Sequence, residues 1–294
     1  MSNVTANGIT VTYDSFGDPT NPALLLVMGL GGQMIAWDPD FCQMLADLDL
    51  YVIRFDNRDV GLTSHFDEEG VPDMAKLTTE LMNGLTPDIP YTLDDMAADG
   101  VALLSELGID RAHICGASLG GMIVQAMCIN HPERIISMTS IMSTTGNPEL
   151  PPASPEAMAA LTSECTNDLE ESMQRAVEVA QVIGSTGYPL DEERIRRKAA
   201  ESFKRAFNPD GVARQMAAVI AHGDRRPGLR QLSIPSLVIH GTVDPLVPVT
   251  GGLDTHDNIP GAELLLIEGM GHDMPVGAWP QIVDGISQLV KRSQ

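Results

Sequence analysis

The polar and apolar positions of this chain follow two rhythms, and the change from one to the other divides it. Short, continuously apolar runs dominate the first half: Ala23-Leu24-Leu25-Leu26-Val27-Met28, Tyr51–Phe55, Ala112-His113-Ile114-Cys115 and Arg134–Met142. Runs of this length without alternation mark strands covered on both faces, as in a parallel sheet. Residues 8–16 add an N-terminal strand or hairpin. Amphipathic stretches between the runs predict helices over about 41–46 and 92–107, the second capped by Thr92 with Asp94 and Asp95 behind it and stopped by Gly108. From about Ser143 to Arg226 no strong strand is predicted. That stretch opens on Gly146-Asn147-Pro148 and Pro151-Pro152-Ala153-Ser154-Pro155, and helical patterns follow near 155–164, 169–184, 191–207 and 209–221. The first rhythm resumes with Ser236-Leu237-Val238-Ile239 and Leu264–Ile267, and a last helix is predicted through about 276–291. A smaller excursion, about 64–91, holds a helix at 73–83. The expected class is α/β, a mostly parallel central sheet flanked by helices. Residues 1–143 and 227–294 would form its core domain. Residues 144–226 would be an all-helical insertion after the sixth strand, lying as a lid above the C-terminal strand ends.

Composition narrows the picture. A chain of 294 residues can bury a large core, and no internal repeat or low-complexity tract interrupts it. The net charge of −22 repels phosphate backbones and anionic membranes, so no nucleic-acid partner is expected. The same field favours neutral or cationic substrates over polyanions, and a neutral, partly apolar small molecule is the expected partner. Sixteen methionines against only 4% aromatics allow an adaptable, sulfur-rich pocket. The four cysteines show neither C-x-x-C spacing nor zinc-type pairing with histidine, and Cys115 and Cys128 read as buried thiols. No signal peptide or membrane span is visible. A cytoplasmic protein without metal or cofactor is expected, its oligomeric state open, a homo-oligomer included.

The chemistry concentrates at Gly116-Ala117-Ser118-Leu119-Gly120, between a predicted strand and the helical run from Met122. A serine hydroxyl is a poor nucleophile unless it is exposed and relieved of its proton. G-x-S-x-G supplies the exposure, because a sharp strand-to-helix turn crowds the positions two residues either side until only glycine fits. Gly121 extends the patch of small residues. The base should follow a later strand. His272 does so, in Glu268-Gly269-Met270-Gly271-His272, with flanking glycines that permit a tight path. His240 is the rival, since it ends a strand. His113 lies within a strand, His131 reads as a helix cap, and His65, His222 and His256 fall in polar contexts. Asp244, after the strand Ser236–Ile239 in a loop closed by Pro245 and Pro248, completes the order Ser, Asp, His expected around such an elbow. Two N–H groups should meet a developing oxyanion: that of Leu119, after the nucleophile, and that of Leu30, in Gly29-Leu30-Gly31-Gly32. Candidate pocket residues are Trp37, Met142, Met158, Leu161, Met173 and Met270.

With these motifs in place, the chain resembles the α/β-hydrolase superfamily over essentially its whole length, in the lid-bearing esterase/lipase branch. It is similar to aclacinomycin methylesterase-like enzymes and mycobacterial LipG-like hydrolases. Met28–Gly32 resembles the oxyanion loop, and Phe55-Asp56-Asn57-Arg58-Asp59-Val60-Gly61-Leu62-Thr63 the family's D-x-R-G-x-G-x-S segment. Met28 stands where many members carry histidine, and Asp59 where glycine is common. Serine rather than aspartate at the elbow points away from epoxide hydrolases and dehalogenases. The resemblance implies cofactor-free hydrolysis of carboxylic esters through an acyl-enzyme. The same triad could serve C–C, lactone or thioester hydrolysis or perhydrolysis, and some proteins of this fold are ligand receptors.

Overall fold

The computed structural model describes residues 1–293. A hairpin opens the chain, β1 (Ser2–Ala6) and β2 (Ile9–Phe16), turned by Asn7 and Gly8, both at positive φ. That is the two-residue Asn-Gly loop whose backbone matches the twist of paired strands. Then come β3 (Ala23–Val27), α1 (Pro39–Ala46), β4 (Tyr51–Phe55), α2 (Met74–Met82), α3 (Leu93–Glu106), β5 (Ala112–Ala117), α4 (Leu119–Asn130) and β6 (Ile135–Ile141). Four helices follow without a strand: α5 (Pro155–Leu161), α6 (Leu169–Ile183), α7 (Glu192–Arg205) and α8 (Pro209–His222). A single turn, α9 (Arg226–Leu229), leads to β7 (Ser236–Gly241), α10 (Val249–Asn258), β8 (Glu263–Ile267) and α11 (Trp279–Arg292).

The eight strands form one sheet in the order β1-β2-β4-β3-β5-β6-β7-β8. β1–β2 and β2–β4 are antiparallel, and every other neighbouring pair is parallel. Side-chain alternation sorts the central strands onto two cores. On β3, Leu25 and Val27 join α3 and α4 through Leu93, Met96, Ile123 and Met127. Leu24 and Leu26 face the other way, toward Phe41 and Leu45 of α1 and Ile282 and Ile286 of α11. Both faces are therefore covered, which is why these strands lack polar alternation.

Of the helices longer than a single turn, α10 escapes prediction. Its sequence, Val249-Thr-Gly-Gly-Leu253, is poor helix material by propensity, and its packing on β7 holds it instead. α4 puts His131 at its C-terminal cap, as expected. Among the described residues no helix is long and apolar enough to cross a membrane.

Candidate active site

Ser118 sits between the end of β5 and the first residue of α4 with φ 56° and ψ −119°, a conformation costly for a residue with a Cβ. The surroundings enforce it. Its N–H donates to Ile141 O at 2.9 Å, and its carbonyl accepts from Ser143 Oγ at 2.8 Å. The turn is so tight that a Cβ on Gly116 would lie 2.0 Å from Gly120 O, and one on Gly120 2.0 Å from Val27 O. Glycine at these two positions is a steric requirement.

Two later strand ends meet this serine. His272 Nε2 lies 3.0 Å from Ser118 Oγ, and His272 Nδ1 lies 2.8 Å from Asp244 Oδ2. The other carboxylate oxygen, Oδ1, accepts the N–H groups of Leu246 and Val247, each at 2.9 Å. The Asp244 side chain is fully buried and that of His272 8% exposed. A hydroxyl, an imidazole and a fixed carboxylate at these distances form a chain along which the hydroxyl proton can pass to Nε2. His240, the rival base, points elsewhere. It is fully buried, and its Nε2–H donates to Val247 O at 2.8 Å, 3.6 Å from Asp244. Burial pushes its pKa down, so it stays neutral.

The glycine loop after β3 runs beside the elbow, where a Cβ on Gly29 would come 3.1 Å from Ser118 Cβ. Among the described residues nothing accepts the N–H of Leu30. Leu119, first residue of α4, has an N–H that its own helix cannot use. Two free donors thus flank Ser118, one of them at a helix N-terminus with its partial positive charge.

α8, the end of α6 and the turn after it hold both flanking loops, which sequence reasoning missed. Gln215 of α8, fully buried, accepts Gly31 N–H at 2.9 Å and donates to Arg58 O at 2.8 Å. At the histidine loop, His272 N–H donates to Ile183 O at 2.7 Å and Gly271 N–H to Ser185 Oγ at 2.9 Å. Ser185 in turn donates to Asp273, whose carboxyl burial pushes upward.

A cavity of about 840 Å³ opens over Ser118 and His272. Six methionines line it: Met28, Met122, Met142, Met158, Met216 and Met274. Of the expected pocket residues, Met142, Met158 and Leu161 are on its wall, with Leu30 and Leu119. Trp37, Met173 and Met270 are not. Trp37 is fully buried beneath the site, stacked on Phe41 at 5.8 Å, and Met270 is fully buried in the same core. Both are held by apolar packing beneath the sheet edge, and nearness in sequence to a site loop gave no guide to that. Met173 projects from a part of α6 that does not reach the cavity, whereas Val179 and Ile183, nearer its C-terminal end, do.

The chain matches the model of the family described as "alpha/beta hydrolase fold" over residues 22–276, and it belongs to that family. Among its relatives, rhodomycin D methylesterase from Streptomyces sp. (strain C5) is 27% identical, the alignment covering 93% of this chain and 92% of that one. 3-Oxoadipate enol-lactonase 2 from Acinetobacter baylyi is 28% identical, with 90% and 87% covered. Among solved structures, the enol-lactonase from Burkholderia xenovorans LB400 superimposes with a TM-score of 0.71 over 99% of each chain, at 23% identity.

Proposed function

We infer that the protein is a serine hydrolase that cleaves carboxylic esters through an acyl-enzyme. The observation that carries this reading is the pair of contacts through His272, 3.0 Å to Ser118 Oγ and 2.8 Å to Asp244. Ser118 Oγ attacks the ester carbonyl as His272 Nε2 takes its proton. Asp244 keeps the Nδ1–H tautomer and stabilises the imidazolium, while the N–H groups of Leu30 and Leu119 bind the oxyanion. Protonated His272 then gives its proton to the departing alcohol, and water, deprotonated by the same imidazole, releases the acid. No cofactor enters these steps. Residues 144–226 act as the lid that closes the cavity and excludes water. The four cysteines, all free, suit a reducing compartment, and we place the protein in the cytoplasm.

A lactone is an ester whose alcohol stays attached, and the similarity to an enol-lactonase favours it as a second substrate form. A panel of esters of graded acyl length, with lactones of matched size, tests both. Hydrolysis by the wild type and its loss, by roughly 10⁴-fold or more, in Ser118→Ala is expected. Wild-type rates in Ser118→Ala would refute the nucleophile and the mechanism with it.

A further inference from the structure

The cavity is apolar around most of its wall, but one part of it carries charge. Asp38, Arg194 and Lys198 reach the wall there, next to Phe41 and Trp279. Arg194 and Lys198 stand one turn apart on α7 and share the single carboxylate of Asp38. Arg194 Nη2 forms a close ion pair with it, and Lys198 Nζ lies 3.0 Å from Oδ2. Asp38 is committed further, because its Oδ1 caps α1 by accepting Asp40 N–H at 2.9 Å. It has no capacity left for a cationic ligand. Within this cluster two cations pair with one carboxylate, a local excess of positive charge in a chain whose net charge is −22.

The guanidinium is also presented for use. It lies over the Trp279 ring, 4.9 Å from its centroid, a cation–π contact that holds it at the wall. Nε and Nη1 have no partner among the described residues, and neither is sealed from solvent. A planar fork with free donors on a cavity wall matches a carboxylate. The two other carboxylates on the wall are occupied elsewhere: Asp191 accepts Arg194 N–H at the N-terminus of α7, and Asp273 accepts from Ser185 beside His272.

We propose that Arg194 and Lys198 form a subsite for an anionic group on the substrate, so that the preferred esters carry a carboxylate remote from the scissile bond. This rests on the ester-hydrolase reading and narrows it, from neutral esters to half-esters of dicarboxylic acids or esters of hydroxy acids.

The test is calorimetric titration of the full-length Ser118→Ala protein. The ligands are monomethyl esters of dicarboxylic acids from succinic to suberic, methyl esters of length-matched monocarboxylic acids, and acetate esters of hydroxy acids. The second class is uncharged, and the third puts the charge on the alcohol side. One charged class should bind tighter than the neutral class by roughly tenfold or more, the size of one charge-assisted hydrogen bond. That preference should shrink as salt rises, and Arg194→Gln or Lys198→Gln in the same background should abolish it. Should Arg194→Gln fail to fold because Asp38 loses its partner, the half-exposed Lys198 still carries the test. Equal affinity for charged and neutral ligands overturns the subsite, as does a preference that survives both substitutions. Kinetics on the wild type separate this from the parent reading. Ser118-dependent hydrolysis without an anion preference removes only the subsite. Anion-selective binding with no Ser118-dependent hydrolysis removes only the hydrolase.

Discussion

At the scale of single residues, Asp244 has two histidines within 4 Å, and geometry assigns them different work. His272 meets it at 2.8 Å and Ser118 at 3.0 Å, whereas His240 is buried against Val247 O. His272→Gln should therefore lower kcat by about 10⁴ or more, and Asp244→Asn by about 10⁴ with KM nearly constant, because the wrong imidazole tautomer is then favoured. His240→Gln exchanges one buried hydrogen bond worth about 1 kcal/mol, so its kcat should stay within roughly tenfold. Steady-state kinetics on one activated ester would compare all three. A larger loss from His240→Gln than from His272→Gln would reverse the assignment of the base.

Ser118, Asp244 and His272 lie just after β5, β7 and β8, but atoms that hold the loops around them come from α8, the end of α6 and the turn after it. Gln215→Leu keeps the volume of the side chain and strands the half-buried Gly31 N–H and the buried Arg58 O, the latter an unsatisfied group worth about 1–3 kcal/mol. If α8 positions the oxyanion loop, kcat should fall roughly ten- to a hundredfold while the pH profile of the base is unchanged. Ser185→Ala should do the converse, displacing the apparent pKa of the kcat profile, because Gly271 N–H and Asp273 beside His272 both lose a partner. Ser185→Thr should restore it. A loss of stability without either kinetic signature would make these contacts merely structural. Such couplings are invisible in sequence. Gly31 and Gln215 are 184 residues apart, and Gly271 and Ser185 86. Gln215 stands beside Arg214, just before the apolar run Met216-Ala217-Ala218-Val219, with nothing local to mark it. What is legible is local. Continuous apolarity marks β3 to within one residue, and the glycines around Ser118 mark a turn that admits nothing else. α10 is illegible for the opposite reason, its two glycines arguing against the helix that packing imposes. The charged wall of Arg194 and Asp38 is hidden by a separation of 156 residues.

Across the whole molecule, buried ion pairs fasten α7 and α8 to the loop after β4. Arg205 of α7 meets Asp56 at 2.6 Å, and Arg214 of α8 meets Asp59 with two hydrogen bonds of 2.8 Å, both side chains fully buried. Asp59 has φ 68°, a left-handed conformation that suits glycine better than a residue with a Cβ. Here a carboxylate is held there by its partners: Arg214, Tyr91 Oη at 2.7 Å and Phe66 N–H at 2.9 Å. Burial alone would raise the Asp59 pKa, but these hydrogen bonds and the Arg214 charge outweigh it and hold the carboxyl below its usual value of 3.8. The sign of the pH dependence follows. A depressed folded-state pKa contributes stability that is complete above 3.8 and declines as pH falls through the lower folded value. Asp59→Asn removes the buried counter-charge of Arg214 and leaves it only the exposed Asp67 at 3.2 Å, and should destabilise the protein by about 3–5 kcal/mol at pH 7. Denaturant midpoints of wild type and variant measured at steps from pH 7 to pH 3 should lie far apart near neutrality. They should begin to converge only below pH 4, as the wild-type carboxyl is protonated. A gap that is small at pH 7, or that closes well above pH 4, would mean that the pair does not fasten α8 to the loop after β4.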